Sequence, residues 1–93
     1  MRTELTPVYD RCKSFYKKAY VEEDGNEVRL YSYDSHVATI KEGSYILHSL
    51  AACSMTTRRH VNEFLAQNGF QTLCKKEMEK EIREGFLNLL LSC

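Results

Sequence analysis

Alternating apolar and polar residues between positions 14 and 50 predict four short β-strands. The predicted strands cover residues 14–22, 27–33, 36–41 and 44–50. The breaks between them contain Asp24-Gly25, Asp34-Ser35 and Glu42-Gly43, residue pairs that are typical of tight turns. Connections this short favour an antiparallel meander, in which each strand pairs with the next. Residues 1–13, which include Pro7, are expected to form an extended arm.

The same alternation assigns residues to the two faces of the predicted sheet. Four apolar residues are placed on the face towards the helices: Val28, Leu30, Ala38 and Ile40. Val37 and Thr39 are expected to point to the other face. The tyrosines of the first two strands then form an exposed aromatic stripe of Tyr16, Tyr20, Tyr31 and Tyr33.

Residues 54–68 predict the first helix. Ser54 can accept hydrogen bonds from the first turn, and Gly69 can adopt the positive φ that ends a helix. The helical spacing brings five residues to one face: Thr57, Val61, Phe64, Leu65 and Asn68. Arg58, Arg59 and His60 crowd the first turn, where positive charge opposes the helix dipole.

Residues 72–91 predict the second helix, with Thr72 as its cap. Its expected apolar stripe consists of Cys74, Met78, Ile82, Phe86, Leu89 and Leu90. Leu87 and Leu91 fall outside this stripe, so the last turns are apolar on nearly every side. This end either lies deep across the sheet or packs against a second copy, which makes Leu87 and Leu91 a candidate homodimer interface.

These elements predict one α+β domain over residues 1–93, a four-stranded antiparallel meander followed by two C-terminal helices packed on one face. The chain carries 13 basic and 13 acidic residues, and this balance argues against general DNA coating and against an acidic DNA mimic. It shows neither a signal peptide nor an apolar run long enough to cross a membrane. Four widely spaced cysteines in such a chain indicate reduced thiols and a cytoplasmic protein: Cys12, Cys53, Cys74 and Cys93.

The stretches SFYKKAYV, LYSYDSHVATI and SMTTRRHVNEFLAQNG resemble an uncharacterised family of small proteins. Phages, plasmids and conjugative elements of Gram-positive gut bacteria encode that family. The resemblance covers residues 5–70, and its most specific positions are Ser54, Thr56, Thr57, Arg59, His60, Glu63, Phe64 and Leu65. It implies a mobile-element setting, where small proteins often inhibit host defence, as anti-CRISPR proteins do. It implies little about chemistry, because the family has no assigned activity.

Two groups of residues are candidates for a binding site. Thr56, Thr57, Arg58, Arg59 and His60 surround the free N–H groups of the first helix and suit a phosphate or carboxylate. The alternative is that the threonines only cap the helix while Arg59 pairs with Glu63. The tyrosines, together with Tyr45, suit base stacking or a protein partner, or they only stabilise the sheet by cross-strand pairing.

Metal binding and catalysis find weaker support in the sequence. His48, Cys53, His60 and Cys74 are residue types that zinc prefers, but they lack the close spacing of known zinc motifs. Cys53 with His60 suggests an activated thiol, although no motif supplies the other catalytic groups. We therefore expect no cofactor, no metal and no enzymatic activity.

The function predicted from the sequence is that of a non-catalytic mobile-element protein. It would bind a host or element protein or a ribonucleoprotein, with an anti-CRISPR-type nuclease inhibitor as the most concrete form. The alternatives are a nucleic-acid-binding regulatory protein, which would contact phosphates through the basic helix tip, and a Cys-dependent enzyme.

Overall fold

The computed structural model describes residues 2–10, 14–15 and 17–92, with side chains up to position 84. These residues form five β-strands followed by two α-helices. The strands are β1 (Arg2–Glu4), β2 (Ala19–Asp24), β3 (Glu27–Ser32), β4 (Ser35–Lys41) and β5 (Ser44–Leu47), and the helices are α1 (Met55–Gln67) and α2 (Lys75–Ser92).

All strand pairs are antiparallel, and the strands lie in the sheet in chain order. The α+β class is therefore confirmed, but the prediction of four strands is wrong. Residues 2–4 of the expected arm pair with β2, with Arg2 opposite Glu22 and Glu4 opposite Tyr20. A strand of three residues is too short to show an alternating pattern, so it forms only because β2 offers an unpaired edge.

Two-residue turns close the three hairpins between β2 and β5. Gly25, Tyr33, Asp34, Glu42 and Gly43 all have positive φ. This backbone matches the right-handed twist of paired strands. Because Lys17 also has positive φ, at 61°, β2 begins at Ala19 and not at the predicted position 14.

A β-bulge in β4 changes the predicted division of the two faces. The register shifts after Leu30, so that Leu30 pairs with Ala38 while Tyr31 pairs with His36. Val37 is the extra residue and is fully buried in the core, so its predicted outward position is wrong. Leu30 and Ala38 are buried in the core, and Val28 and Ile40 pack against it, as the alternation predicts.

The helix α1 begins as predicted, with the Ser54 side chain accepting a hydrogen bond from the Thr57 N–H. It ends where Gly69, with φ 83°, allows the Phe70 N–H to reach the Leu65 carbonyl. The start of α2 differs from the prediction. The Asn62 amide binds both the N–H and the carbonyl of Leu73, so the helix starts only at Lys75 and Thr72 is not its cap.

Both helices contribute to one core with the sheet, α1 against β3 and α2 against β5. The buried core residues are Leu5, Phe15, Ala19, Leu30, Val37, Ala38, Leu47, Ala51, Val61, Phe64, Leu65 and Met78. Ile82 packs against this core, but Cys74 is exposed and does not belong to the stripe predicted for α2. The side chains of Leu87 and Leu91, the candidate dimer interface, lie outside the described residues.

Candidate functional site

A cavity of about 170 Å³ lies beside the first turn of α1. We call it the His60 pocket. Around His60 it is lined by Ser14, Phe15, Lys18, Tyr33, Thr56 and Arg59. These residues come from three segments: the stretch before β2, the turn between β3 and β4, and the first two turns of α1.

Local backbone geometry brings Tyr33 to this pocket. Simple alternation after Ser32 would place the Tyr33 side chain with Tyr31 on the other face of the sheet. Tyr33 instead has φ 58°, and its ring centroid lies 6.0 Å from that of His60. This conformation costs a bulky residue roughly 1–2 kcal/mol, and such strain is often found at functional sites.

His60 forms the floor of the pocket and is only 1% exposed. Its Nδ1 atom lies 2.9 Å from the Ser32 hydroxyl oxygen. The Phe15 ring packs edge-on against the His60 ring, with 4.6 Å between the two ring centroids. Its Nε2 atom is buried and has no hydrogen-bond partner among the described residues. Buried polar atoms in folded proteins are nearly always paired, so this nitrogen needs a partner that the described residues do not supply.

Burial, followed by the charges of Arg59 and Lys18, lowers the pKa of His60 to about 4. The ring is therefore neutral at pH 7, and the predicted cationic cluster at the helix tip has one charge fewer than expected.

Two cations border the pocket, and they differ in their partners. Arg59 forms two hydrogen bonds with the Asp10 carboxylate, one from Nε at 3.1 Å and one from its terminal nitrogen. The Lys18 ammonium lies 5.7 Å from the Tyr33 ring centroid and forms no ion pair with a described residue. Lys18 is thus the cation that is better placed to meet a ligand charge.

Glu63 does not pair with Arg59, which overturns that alternative. Its carboxylate is buried and accepts hydrogen bonds from the backbone N–H groups of Val8, Tyr9 and Asp10, at 2.8–3.2 Å. Glu63 therefore holds the segment that carries Asp10 against α1, and through Asp10 it positions Arg59.

The residues predicted at the helix tip divide into two groups. Thr56, Arg59 and His60 line the pocket. Thr57 is buried beneath it, and Arg58 donates to the Ala52 carbonyl.

The predicted tyrosine stripe is not continuous. Tyr20 and Tyr31 form a cross-strand pair on the face without helices, which we call the open face, whereas Tyr33 belongs to the pocket. Tyr16 lies outside the described residues. Tyr45 packs edge-on against Phe70 and donates to Glu81, and burial followed by this hydrogen bond raises the pKa of Tyr45 to about 12.

The open face carries a second polar cluster next to Tyr31. The Tyr31 ring lies between the Arg2 guanidinium, at 4.4 Å, and the His36 ring, at 5.2 Å. His36 and His48 both direct Nε2 at the Thr39 hydroxyl, at 2.8 and 3.0 Å.

The four residues considered for zinc do not form a site. His48 lies on the open face, His60 is buried on the sheet-facing side of α1, and Cys53 and Cys74 are exposed. No group of three or more His, Cys, Asp or Glu is placed to hold a metal within the described part of the chain. The hydrogen bonds connect Cys53 to His60 through Thr57 and Ser32, which is not the direct contact of a nucleophile–base pair.

Lys18 and Ser32 were not among the predicted site residues, and Glu63 was predicted only as a partner of Arg59 and not as the residue that binds the backbone of residues 8–10. A signal existed for Ser32, since a serine two positions after the inward-facing Leu30 needs a buried partner. Alternation alone does not bring Lys18 to the pocket, because the positive φ of Lys17 has no local signal in the sequence.

The chain matches the model of DUF8033, a family of unknown function, over residues 3–80, and it belongs to this family. The matched region includes every residue of the His60 pocket. Searches of curated proteins and of solved structures gave no match. Within the described residues, no helix combines the length and apolarity needed to cross a membrane.

Proposed function

We propose that this member of DUF8033 is a non-catalytic binding protein that captures an acidic group of a protein partner in the His60 pocket. One observation carries the proposal. Lys18, from the stretch before β2, meets Arg59 and His60 of α1 at one cavity of about 170 Å³, and one ring nitrogen of His60 has no partner among the described residues. Positive charge and hydrogen-bonding groups in one small cavity complement a single negative group.

Binding explains the pocket better than catalysis does. A nucleophile needs a base in hydrogen-bond reach, and the described lining residues include no such pair. His60 itself is held neutral, with one ring nitrogen already engaged by Ser32.

A protein partner explains the charges better than a nucleic acid does. Nucleic-acid binding usually rests on several cations along a backbone, whereas here Asp10 offsets Arg59. On the open face Glu22, Asp24 and Glu27 all bind Arg29, which would leave little positive charge for phosphates.

The finer features of the proposal rest on the resemblance and on composition. We place the protein in the cytoplasm of a cell that carries the mobile element, with a host or element protein or a ribonucleoprotein as its target. An anti-CRISPR-type inhibitor of a nuclease is the most concrete form. A homodimer through Leu87 and Leu91 would present two His60 pockets to such a target.

The test compares two neighbouring lysines as bait variants in lysate of the native host. Lys18→Met removes the pocket cation, and Lys17→Met removes the same charge from an exposed residue outside the pocket lining. We expect the wild type and Lys17→Met to recover the same protein, and Lys18→Met to recover about tenfold less, since a charge-assisted contact is lost.

Nuclease treatment of the lysate separates the alternative. Recovery that survives nuclease supports a protein target. If nuclease abolishes recovery, and the protein also shifts random DNA or RNA in a mobility assay that weakens steeply with salt, then nucleic-acid binding is the function and the proposal is wrong. The proposal is wrong if no protein depends on Lys18.

A further inference from the structure

We infer that His60 is a fixed hydrogen-bond donor and that its pocket binds one oxyanion, the carboxylate or phosphate group of a partner. This inference rests on the proposed function, because it names the group that the pocket would take from that partner. It follows from the directions of the hydrogen bonds beneath the pocket, which determine where the His60 ring carries its proton.

The chain of hydrogen bonds starts at the cap of α1. The Ser54 hydroxyl oxygen accepts the Thr57 N–H at 3.1 Å and donates its own proton to the Thr57 hydroxyl oxygen, also at 3.1 Å. The Cys53 thiol donates to the same Thr57 oxygen at 3.7 Å. Thr57 therefore accepts from two donors on one side.

The Thr57 proton then has one remaining neighbour, the Ser32 hydroxyl oxygen at 3.2 Å. With that proton accepted, the described residues offer the buried Ser32 proton one acceptor, the Nδ1 atom of His60 at 2.9 Å, and the opposite direction would leave that proton unpaired. A neutral imidazole has one donor and one acceptor nitrogen. Because Nδ1 accepts, the ring proton sits on Nε2.

Nε2–H is therefore a buried donor with no acceptor among the described residues. Leaving such a donor unpaired reduces the stability of a protein, so its persistence here points to a ligand that supplies the acceptor. The neutral ring fits this role, since burial and the nearby Arg59 and Lys18 keep the pKa of His60 near 4 while Asp10 opposes them only partly.

The other polar groups around the pocket set the ligand class. Lys18 and Arg59 favour a negative charge, and the Thr56 hydroxyl can donate a further hydrogen bond. An amine or a metal ion would meet positive charge and an N–H. The volume of about 170 Å³ holds one phosphate or carboxylate with the first atoms of its side chain, but not a whole nucleotide.

The experiment uses the full chain with ¹⁵N-labelled histidine at pH 7.5, and the probes are inorganic phosphate and acetate. In the free protein we expect the His60 nitrogens to show the Nε2–H tautomer. Either probe should shift the Nε2 signal in a saturable way that sodium chloride at equal ionic strength does not reproduce.

Three variants test the role of the donor. In His60→Gln the side-chain amide supplies an N–H near the position of Nε2, and we expect binding within about threefold of wild type. In His60→Phe the donor is absent and binding should fall at least tenfold. In Ser32→Ala the proton on His60 loses its fixed position, so both tautomers should appear and binding should weaken even though no pocket residue has changed.

Each outcome decides something. If only phosphate binds in a saturable way, the ligand group is a phosphoryl group. If only acetate binds, it is a carboxylate, and if both bind, the pocket is a general oxyanion site. Binding of neither probe, or an Nδ1–H tautomer, overturns the inference. If neither probe binds but a protein is still recovered through Lys18, only the inference fails. If a probe binds but no protein depends on Lys18, only the proposed function fails.

Discussion

Histidine occupies two contrasting environments on the two faces of the sheet. On the helix-covered face, His60 is 1% exposed and accepts a hydrogen bond from Ser32, the last member of a chain of hydroxyl groups. On the open face, His36 and His48 are half-buried, with ring centroids 4.3 Å apart, and both direct Nε2 at the Thr39 hydroxyl.

The two clusters differ in how many imidazole rings share the single proton of a hydroxyl group. Ser32 has one imidazole neighbour and an incoming donor, so the direction of its hydrogen bond is fixed. The single Thr39 proton can bind at most one of the two imidazoles, so at least one ring must donate to the Thr39 oxygen. The covered face thus favours a single protonation pattern, whereas the open face allows several arrangements to exchange.

The largest effect is expected from Glu63, which tests whether the geometry of the covered face depends on buried polar contacts. Glu63→Gln replaces an acceptor of three backbone N–H groups by an amide that can accept at one oxygen only. We expect the free energy of unfolding to fall by about 4 kcal/mol, measured by urea denaturation at pH 7.5.

The control is Glu79→Gln on the exposed side of α2, which should change stability by less than about 0.5 kcal/mol. A Glu63→Gln variant as stable as this control would show that the segment 8–10 does not depend on the carboxylate.

The next largest effect is the pH dependence of the free energy of unfolding, which should differ between the histidines of the two faces. Because the pKa of His60 is lowered to about 4 in the folded protein, the unfolded chain binds the extra proton first as the pH falls below about 6.5. His60 therefore costs stability progressively between pH 6.5 and 4. Relative to His60→Gln, the wild type should lose about 3 kcal/mol between pH 7.5 and 4, measured by urea unfolding at each pH.

His48→Gln is the matched variant on the open face. Burial and the neighbouring His36 also lower the pKa of His48, so the sign of the effect is the same. Water reaches this half-buried ring, and we expect a smaller loss than at His60. Equal losses at both positions would remove the contrast between the faces.

The smallest effect is expected at the shared hydroxyl of the open face. Thr39→Val keeps the shape of the side chain and removes both hydrogen bonds to the histidines. The rings can turn to water, so the free energy of unfolding at pH 8 should fall by only about 1 kcal/mol, measured against Thr72→Val at an exposed position. A loss above about 3 kcal/mol would mean that this cluster is as constrained as the covered one.

The parts of the fold that were predictable are those with local signals. Asp24-Gly25 and Glu42-Gly43 mark hairpins because few residue types accept positive φ. Ser54 and Gly69 bracket α1 for similarly local reasons. The strand β1 and the bulge at Val37 depend on what the neighbouring strand offers, and a local pattern does not contain that information.

The candidate site was predictable only in part, for the same reason. Thr56, Arg59 and His60 share a helix face near a capped N-terminus, so sequence spacing alone grouped them. Lys18 and Tyr33 join them through two left-handed residues that alternation does not reveal. The pairing of Asp10 with Arg59 spans 49 positions and depends on Glu63 binding the backbone of residues 8–10.

The sequence by itself determined the antiparallel hairpins and the capped first helix, because turn and cap preferences act over a few residues. The tertiary structure alone decided that His60 would be buried, neutral and protonated on Nε2. A pKa and a tautomer depend on burial and on the direction of hydrogen bonds, and here those bonds join α1 to a serine 28 positions away on β3.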